Sequence, residues 1–192
     1  MIWNMLCIKT PLNFSGLKYK MTFQFTNEYP VSRLDEIVSY LMGPRLWIPH
    51  GDYPDFLDWA DRVHRELKHD NKRALVAFSS GGGSAFGGQN NEIVGVAVYQ
   101  RHKAHDDTLE IKNLTVRPDK RGRYIASFLL RNAEIEGAKD FKSKRIICDA
   151  KAKNFEIKSF LLKNHYRILA KDDLYRKNGG EDLIYSKTIN YV

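Results

Sequence analysis

Three observations predict a single mixed α/β domain. The chain has 192 residues, enough for one well-buried domain and short for two. Its hydrophobic content of 43% is ordinary for a globular chain, so disorder is not the expectation. Strand-like and helix-like periodicities alternate in the order β-α-α-β-β-β-α-β-α-β-β, with no internal repeat and no interdomain linker.

Residues 1–20 are expected to be an N-terminal extension of uncertain order, and residues 21–192 the domain. The apolar opening Met1–Ile8 lacks a basic start and a full hydrophobic core, so it is not read as a secretion signal. Met5 and Met21 leave a later start open. The alternation from Met21 to Thr26 predicts the first strand. Ser32, with Asp35 three residues on, predicts a capped helix start. Leu34, Ile37, Val38 and Leu41 give that helix its buried stripe, and Gly43-Pro44 ends it. A loop from Leu46 to Asp52 carries Trp47, Pro49 and His50. After Pro54, the spacing of Phe56, Trp59, Ala60, Val63 and Leu67 predicts a second helix.

Strands are predicted at Arg73 to Phe78, at Glu92 to Gln100 with its Val94, Val96 and Val98, and at Leu109 to Val116. Residues 79–91 are rich in Gly, Ser and Asn, and no Gly-Lys-Ser/Thr follows to make a phosphate-binding P-loop. They read as a flexible hairpin connection. A helix carrying Ile125, Phe128, Leu129, Ala133 and Ile135 or Glu136 comes next. A strand at Arg145 to Lys151, a helix at Asn154 to Asn164 and strands near Arg167 to Tyr175 and Asp182 to Lys187 complete the order.

The net charge is +8 and the pI about 9.4. Such a balance suits a polyanionic partner, a nucleotide cofactor, or a basic solvated surface. No apolar run approaches the roughly 20 residues of a membrane helix. Cys7 and Cys148 form no framework of pairs and no metal spacing. Cys148, in a strand-like run, is expected as a reduced, buried thiol, and the cytoplasm is the expected location. His102 and His105 share a turn with Asp106 and Asp107. No third and fourth ligand stands at useful spacing, so the turn reads as solvated and no metal is expected.

The densest chemical signal runs from Glu110 to Leu130. A strand ends at Pro118, the basic loop Arg117 to Arg123 follows, and a helix begins near Tyr124. Helix starts leave N–H groups unpaired and carry partial positive charge, so a diphosphate is at home there. Arg121 and Arg123 add full charges, and Gly122 permits close approach to the backbone.

Val-x-Pro followed by Arg121-Gly-x-x-Ile-Ala126 resembles the acetyl-CoA pyrophosphate loop of the GNAT acetyltransferase superfamily. Tyr124 stands where that family usually has glycine. A side chain there either crowds the phosphate or points away if the helix has already begun. The resemblance extends from about Met21 to Lys187 and implies one GNAT-like domain, a mixed and mostly antiparallel sheet flanked by about four helices. It implies acetyl-CoA as co-substrate, with Arg121, Gly122, Arg123, Tyr124, Ile125, Ala126 and Ser127 around its diphosphate. The main chain of Leu114, Thr115 and Val116 would receive the pantetheine arm. Asn154 resembles the Asn that opens the family's second helix motif and joins the cofactor-binding set. His165-Tyr166 replaces the Gly-Phe pair that closes that motif.

The implied reaction is N-acetyl transfer from acetyl-CoA to a primary amine by direct attack in a ternary complex. A lysine-like amine is almost wholly protonated at neutral pH, so a base is wanted. Glu110 aligns with the glutamate base of the histone-acetylating branch, with a carboxylate paired to Lys112 or Arg117 as the plainer reading. Asp149 is a second possible base. Backbone N–H near Leu114 is the implied oxyanion donor. Leu161 occupies the place of the family's usual tyrosine acid. The acceptor pocket is implied near Arg45, Trp47 and His50 and near Tyr175 to Glu181. An alternative from another class is a basic nucleic-acid-binding or tRNA-directed member that has kept the fold. Its Lys/Arg-rich segments lack the interleaved aromatics of a single-strand platform.

Overall fold

The structure, a computed structural model, describes residues 8–9, 22–42, 56–69, 72–80, 92–174 and 180–190. Its elements are β1 (Ile8–Lys9), β2 (Thr22–Thr26), α1 (Leu34–Met42), α2 (Phe56–Lys68), β3 (Arg73–Ser80), β4 (Glu92–Arg101), β5 (Thr108–Val116), α3 (Ile125–Phe141), β6 (Arg145–Lys151), α4 (Phe155–Lys163), β7 (Arg167–Asp172) and β8 (Asp182–Thr188). From β2 onward this is the predicted order. The two-residue β1 adds a pairing of Ile8 and Lys9 with Phe23 and Thr22. The sheet runs β1-β2-β3-β4-β5-β6-β8-β7, and only β5 and β6 pair in parallel. That makes it mixed and mostly antiparallel, with four α-helices among the described residues, as expected.

The strand β4 is buried along nearly its whole length, which explains its near-continuous apolar run. Side chains alternate across a strand, so β4 sends Val96 and Val98 to one face and Ala97 and Tyr99 to the other. On the first face Leu34, Ile37 and Leu41 of α1 and Val63 and Leu67 of α2 close the core. His64 Nε2 meets Asp35 Oδ1 at 2.9 Å and ties the two helices together. On the second face α3 supplies Ile125, Leu129, Leu130 and Ala133. Two glycines let it lie close. A Cβ at Gly95 would meet Leu129 Cδ1 at 2.9 Å and Thr115 O at 3.2 Å, and one at Gly137 would meet Leu109 Cδ1 at 2.6 Å.

Local corrections have local causes. Ser32 does not cap α1; it sits inside a 3-10 turn, Val31–Arg33, with Pro30 as its N-cap. The N–H of Arg33 bonds to the Pro30 carbonyl at 2.9 Å, so the backbone supplies the acceptor expected of a side chain. The buried stripe of α3 is rotated from the predicted one. It takes in Glu134, whereas Phe128, Ile135 and Glu136 are only partly buried. Lys187 and Tyr166 satisfy the Glu134 carboxylate and make that burial tolerable. The strand predicted to reach Tyr175 ends at Asp172. The Leu46–Asp52 loop, residues 81–91 of the glycine-rich connection, and residues 175–179 lie outside the described residues.

Candidate functional site

Strands β5 and β6 pair only from Thr108–Glu110 to Arg145–Ile147. Beyond that point β5 stays bonded to β4 as far as Val116, and β6 to β8 as far as Lys151. The two parallel strands therefore part inside an otherwise continuous sheet. A bulge accompanies the parting: Val98 pairs with Asn113 and Tyr99 with Ile111, leaving Lys112 as an extra residue on β5. Bulges bend the strand that carries them. The result is a cleft of about 1250 Å³, and Leu114, Thr115 and Val116 line its β5 wall. Among the described residues no strand pairs with their edge facing β6, the backbone that the pantetheine arm was expected to meet.

At the end of β5 a short 3-10 turn, Pro118–Lys120, leads into the predicted loop. Gly122 has φ of 72° and open space where a Cβ would stand. The first intrahelical bond of α3 runs from Phe128 N–H to the Tyr124 carbonyl at 2.9 Å. The amides of Ile125, Ala126 and Ser127 precede it and so lack intrahelical partners at the positive end of the helix. All three residues, with Arg121, Gly122 and Tyr124, line the cleft. Arg121 Nε donates to the Val116 carbonyl at 3.2 Å, and its guanidinium lies 3.9 Å from Glu156 at the start of α4. Asn154 caps α4 by accepting from Ile157 N–H at 3.2 Å, and it lines the same cleft. Bare amides, an open glycine and an arginine are what a diphosphate requires.

Tyr124 answers its question from the sequence. It takes φ of 62°, the left-handed conformation that glycine adopts freely, and the residue is 79% exposed. His165, at the other position where the family pattern has glycine, has φ of 68°. Both positions thus hold a left-handed conformation that glycine adopts more readily than the residues present. Arg123 lines an adjoining hollow with Phe25, Phe128 and Arg131, which shares Tyr124, Ile125 and Ser127 with the cleft. Left-handed residues, Gly122 and Tyr124, stand on either side of it.

Glu110 sits where the strands part, its side chain 16% exposed. Its Oε1 accepts from Lys112 Nζ at 2.8 Å and its Oε2 from Gln100 Nε2 at 2.6 Å. Burial pushes the carboxyl up, but the Lys112 charge and both hydrogen bonds overcome it, and the group lies below the usual 4.5. Gln100 Oε1 in turn accepts from Lys72, which pairs with Glu66 at 2.6 Å. A chain of polar contacts thus runs Glu66–Lys72–Gln100–Glu110–Lys112 along one wall. Sequence reasoning missed its first three members. The available signal was Gln100 itself, a polar residue where the series Val94, Val96, Val98 calls for another apolar one.

Leu161 is buried on the cleft wall, and among the described residues the tyrosine that lines the cleft is Tyr124, at the cofactor loop. Tyr166 donates its O–H to Glu134 at 2.9 Å, and burial and that carboxylate hold its phenol far above the ordinary range. The Cys148 thiol, also on the wall, is pushed up by burial and is therefore a poor nucleophile. Asp149 lines the opposite wall on β6. His102 and His105 stack at 4.9 Å, and His102 Nδ1 accepts from Ala104 N–H. Of the expected acceptor region, residues 45, 47, 50 and 175–179 lie outside the described residues.

The sheet thus opens between two parallel strands, with a helix start just beyond the C-terminal end of the first. The chain belongs to the acetyltransferase (GNAT) family, whose model matches residues 39–166. That family uses acetyl-CoA. Among solved structures, a putative acetyltransferase from Acinetobacter baylyi is similar, with a TM-score of 0.67, 15% identity, and coverage of 90% of this chain and 95% of that one. Arabidopsis thaliana NAA60, solved with a bisubstrate analogue, has a TM-score of 0.66, 14% identity, and coverage of 88% and 100%. RimL, a ribosomal L7/L12 α-N-protein acetyltransferase solved with coenzyme A, has a TM-score of 0.64, 13% identity, and coverage of 88% and 96%. At these identities the likeness is one of fold. No curated protein sequence matches the chain significantly.

Proposed function

We propose that this chain transfers an acetyl group from acetyl-CoA to a primary amine by direct attack in a ternary complex. The parting of β5 from β6 beside an open helix start carries this reading. Arg121, Gly122 and the amides of Ile125 to Ser127 would hold the diphosphate. The main-chain edge of Leu114 to Val116 would align the pantetheine arm. Acetyl-CoA supplies an activated thioester, and the N–H near Leu114 is the proposed donor to its carbonyl oxygen. Glu110 takes the amine's proton, directly or through water. Without a tyrosine at position 161, the thiolate leaves without a dedicated acid, which its moderate pKa allows.

Calorimetric titration with acetyl-CoA tests the cofactor site, and no binding would refute it. Thiol release with an amine tests the base. Glu110→Gln is expected to lower turnover by about 10²-fold, the low end for general bases, with acetyl-CoA affinity little changed. A base works when deprotonated, and Glu110 lies below 4.5, so in the parent chain its acid limb falls below that pH. An unchanged rate at pH 7 in the Gln variant removes Glu110 from the role.

A further inference from the structure

Two aromatic rings stand in water at the mouth of the cleft. Tyr124 is the N-cap of α3 and Phe155 the first residue of α4, so they come from separate elements. They are 79% and 75% exposed, and both line the cleft. Among the described residues, the other large hydrophobics that are exposed do not line it. The two helix starts lie side by side, because the Arg121 guanidinium of the loop reaches Glu156 of α4 at 3.9 Å.

An aromatic ring gains most by leaving water, so neither position is explained by the core. Tyr124 also holds its left-handed φ of 62°, and strained residues of this kind gather where ligands are held. Coenzyme A supplies a matching partner by the order of its parts: acyl-bearing arm, diphosphate, adenosine. With the arm along Leu114 to Val116 and the diphosphate at the start of α3, the adenosine continues outward from the loop. Adenine is flat and stacks readily on aromatic side chains. We infer that the adenine of acetyl-CoA stacks on the Tyr124 and Phe155 rings at the mouth of the cleft. Glycine at 124, usual in the family, offers no ring, so this contact belongs to this chain. It rests on the cleft being the acetyl-CoA site.

The test pairs calorimetry with NMR of the bound cofactor. Tyr124→Gly and Phe155→Ala should each weaken acetyl-CoA binding about tenfold, the scale of one base–aromatic stack, and the double variant further. Tyr124→Phe, which keeps the ring, should bind as the parent does. At saturation, the adenine H2 and H8 resonances should move upfield on the parent, as stacking under aromatic rings requires, and lose that shift on the double variant. Parental affinity in the double variant overturns the inference, as do unshifted adenine protons on the parent. Weaker binding with the shift retained overturns it too, since the rings would then only shape the loop. Failure of acetyl-CoA to bind the parent refutes the underlying function instead.

Discussion

Single residues decide how well the cofactor loop is made. Tyr124 occupies a left-handed conformation that costs a non-glycine residue about 1–2 kcal/mol. Its ring is exposed, so replacing it removes little packing. Tyr124→Gly is therefore expected to stabilise the chain by about 1 kcal/mol, less the entropy of a freer unfolded chain. A higher urea midpoint with unchanged slope checks this, and a lower midpoint would show that the ring does unseen packing. The motif at Arg121 and Gly122 was readable because turn chemistry is local. The left-handed turn at position 124 was not, because a tyrosine does not advertise it.

Whole elements place the cleft's two ends. Helix α3 presses on the sheet at Gly95, near its start, and at Gly137, near its end. A methyl at Gly95 would push on Leu129, Ile125 and the Thr115 carbonyl, which border the proposed cofactor site. Gly95→Ala is expected to cost about 1–3 kcal/mol of stability, as overpacking does, and to weaken acetyl-CoA binding as well. Gly137→Ala presses first on Leu109, which does not line the cleft, so stability should fall while affinity holds. Thermal melts and calorimetry on both variants separate the effects. Equal affinities in the two would mean that the helix start is not positioned by that contact. The helices themselves were legible from their apolar spacing. The rotation of α3 was hidden, because a carboxylate at 134 reads as a surface residue until its partners are known.

At the scale of the molecule, Glu134 joins parts distant in sequence. It is 1% exposed and accepts from Lys187 of β8 at 2.8 Å to each oxygen, and from Tyr166 at 2.9 Å. Removing one partner of a buried pair strands the other charge. Glu134→Ala should destabilise by about 3–5 kcal/mol in denaturant titration. A double replacement, Glu134→Leu with Lys187→Met, should recover most of that loss. A mild single-variant effect would indicate that Lys187 reaches water. Bound acetyl-CoA would raise the melting temperature of the parent and of both variants, since ligand binding to the folded state alone stabilises it.

The sequence by itself determined the order of strands and helices from β2 to β8, the loop at Arg121 and Gly122, the cap at Asn154 and the bulk of the core. Each is written in periodicity, turn chemistry or spacing within a few neighbours. Only the tertiary structure decided where β5 leaves β6, which hollow Arg123 lines, and what Tyr166 does with its hydroxyl. It alone joined Lys72 to Gln100 across 28 positions and Lys187 to Glu134 across 53. Contacts of that reach depend on how the strands stack and bend, and no local pattern of residues encodes them.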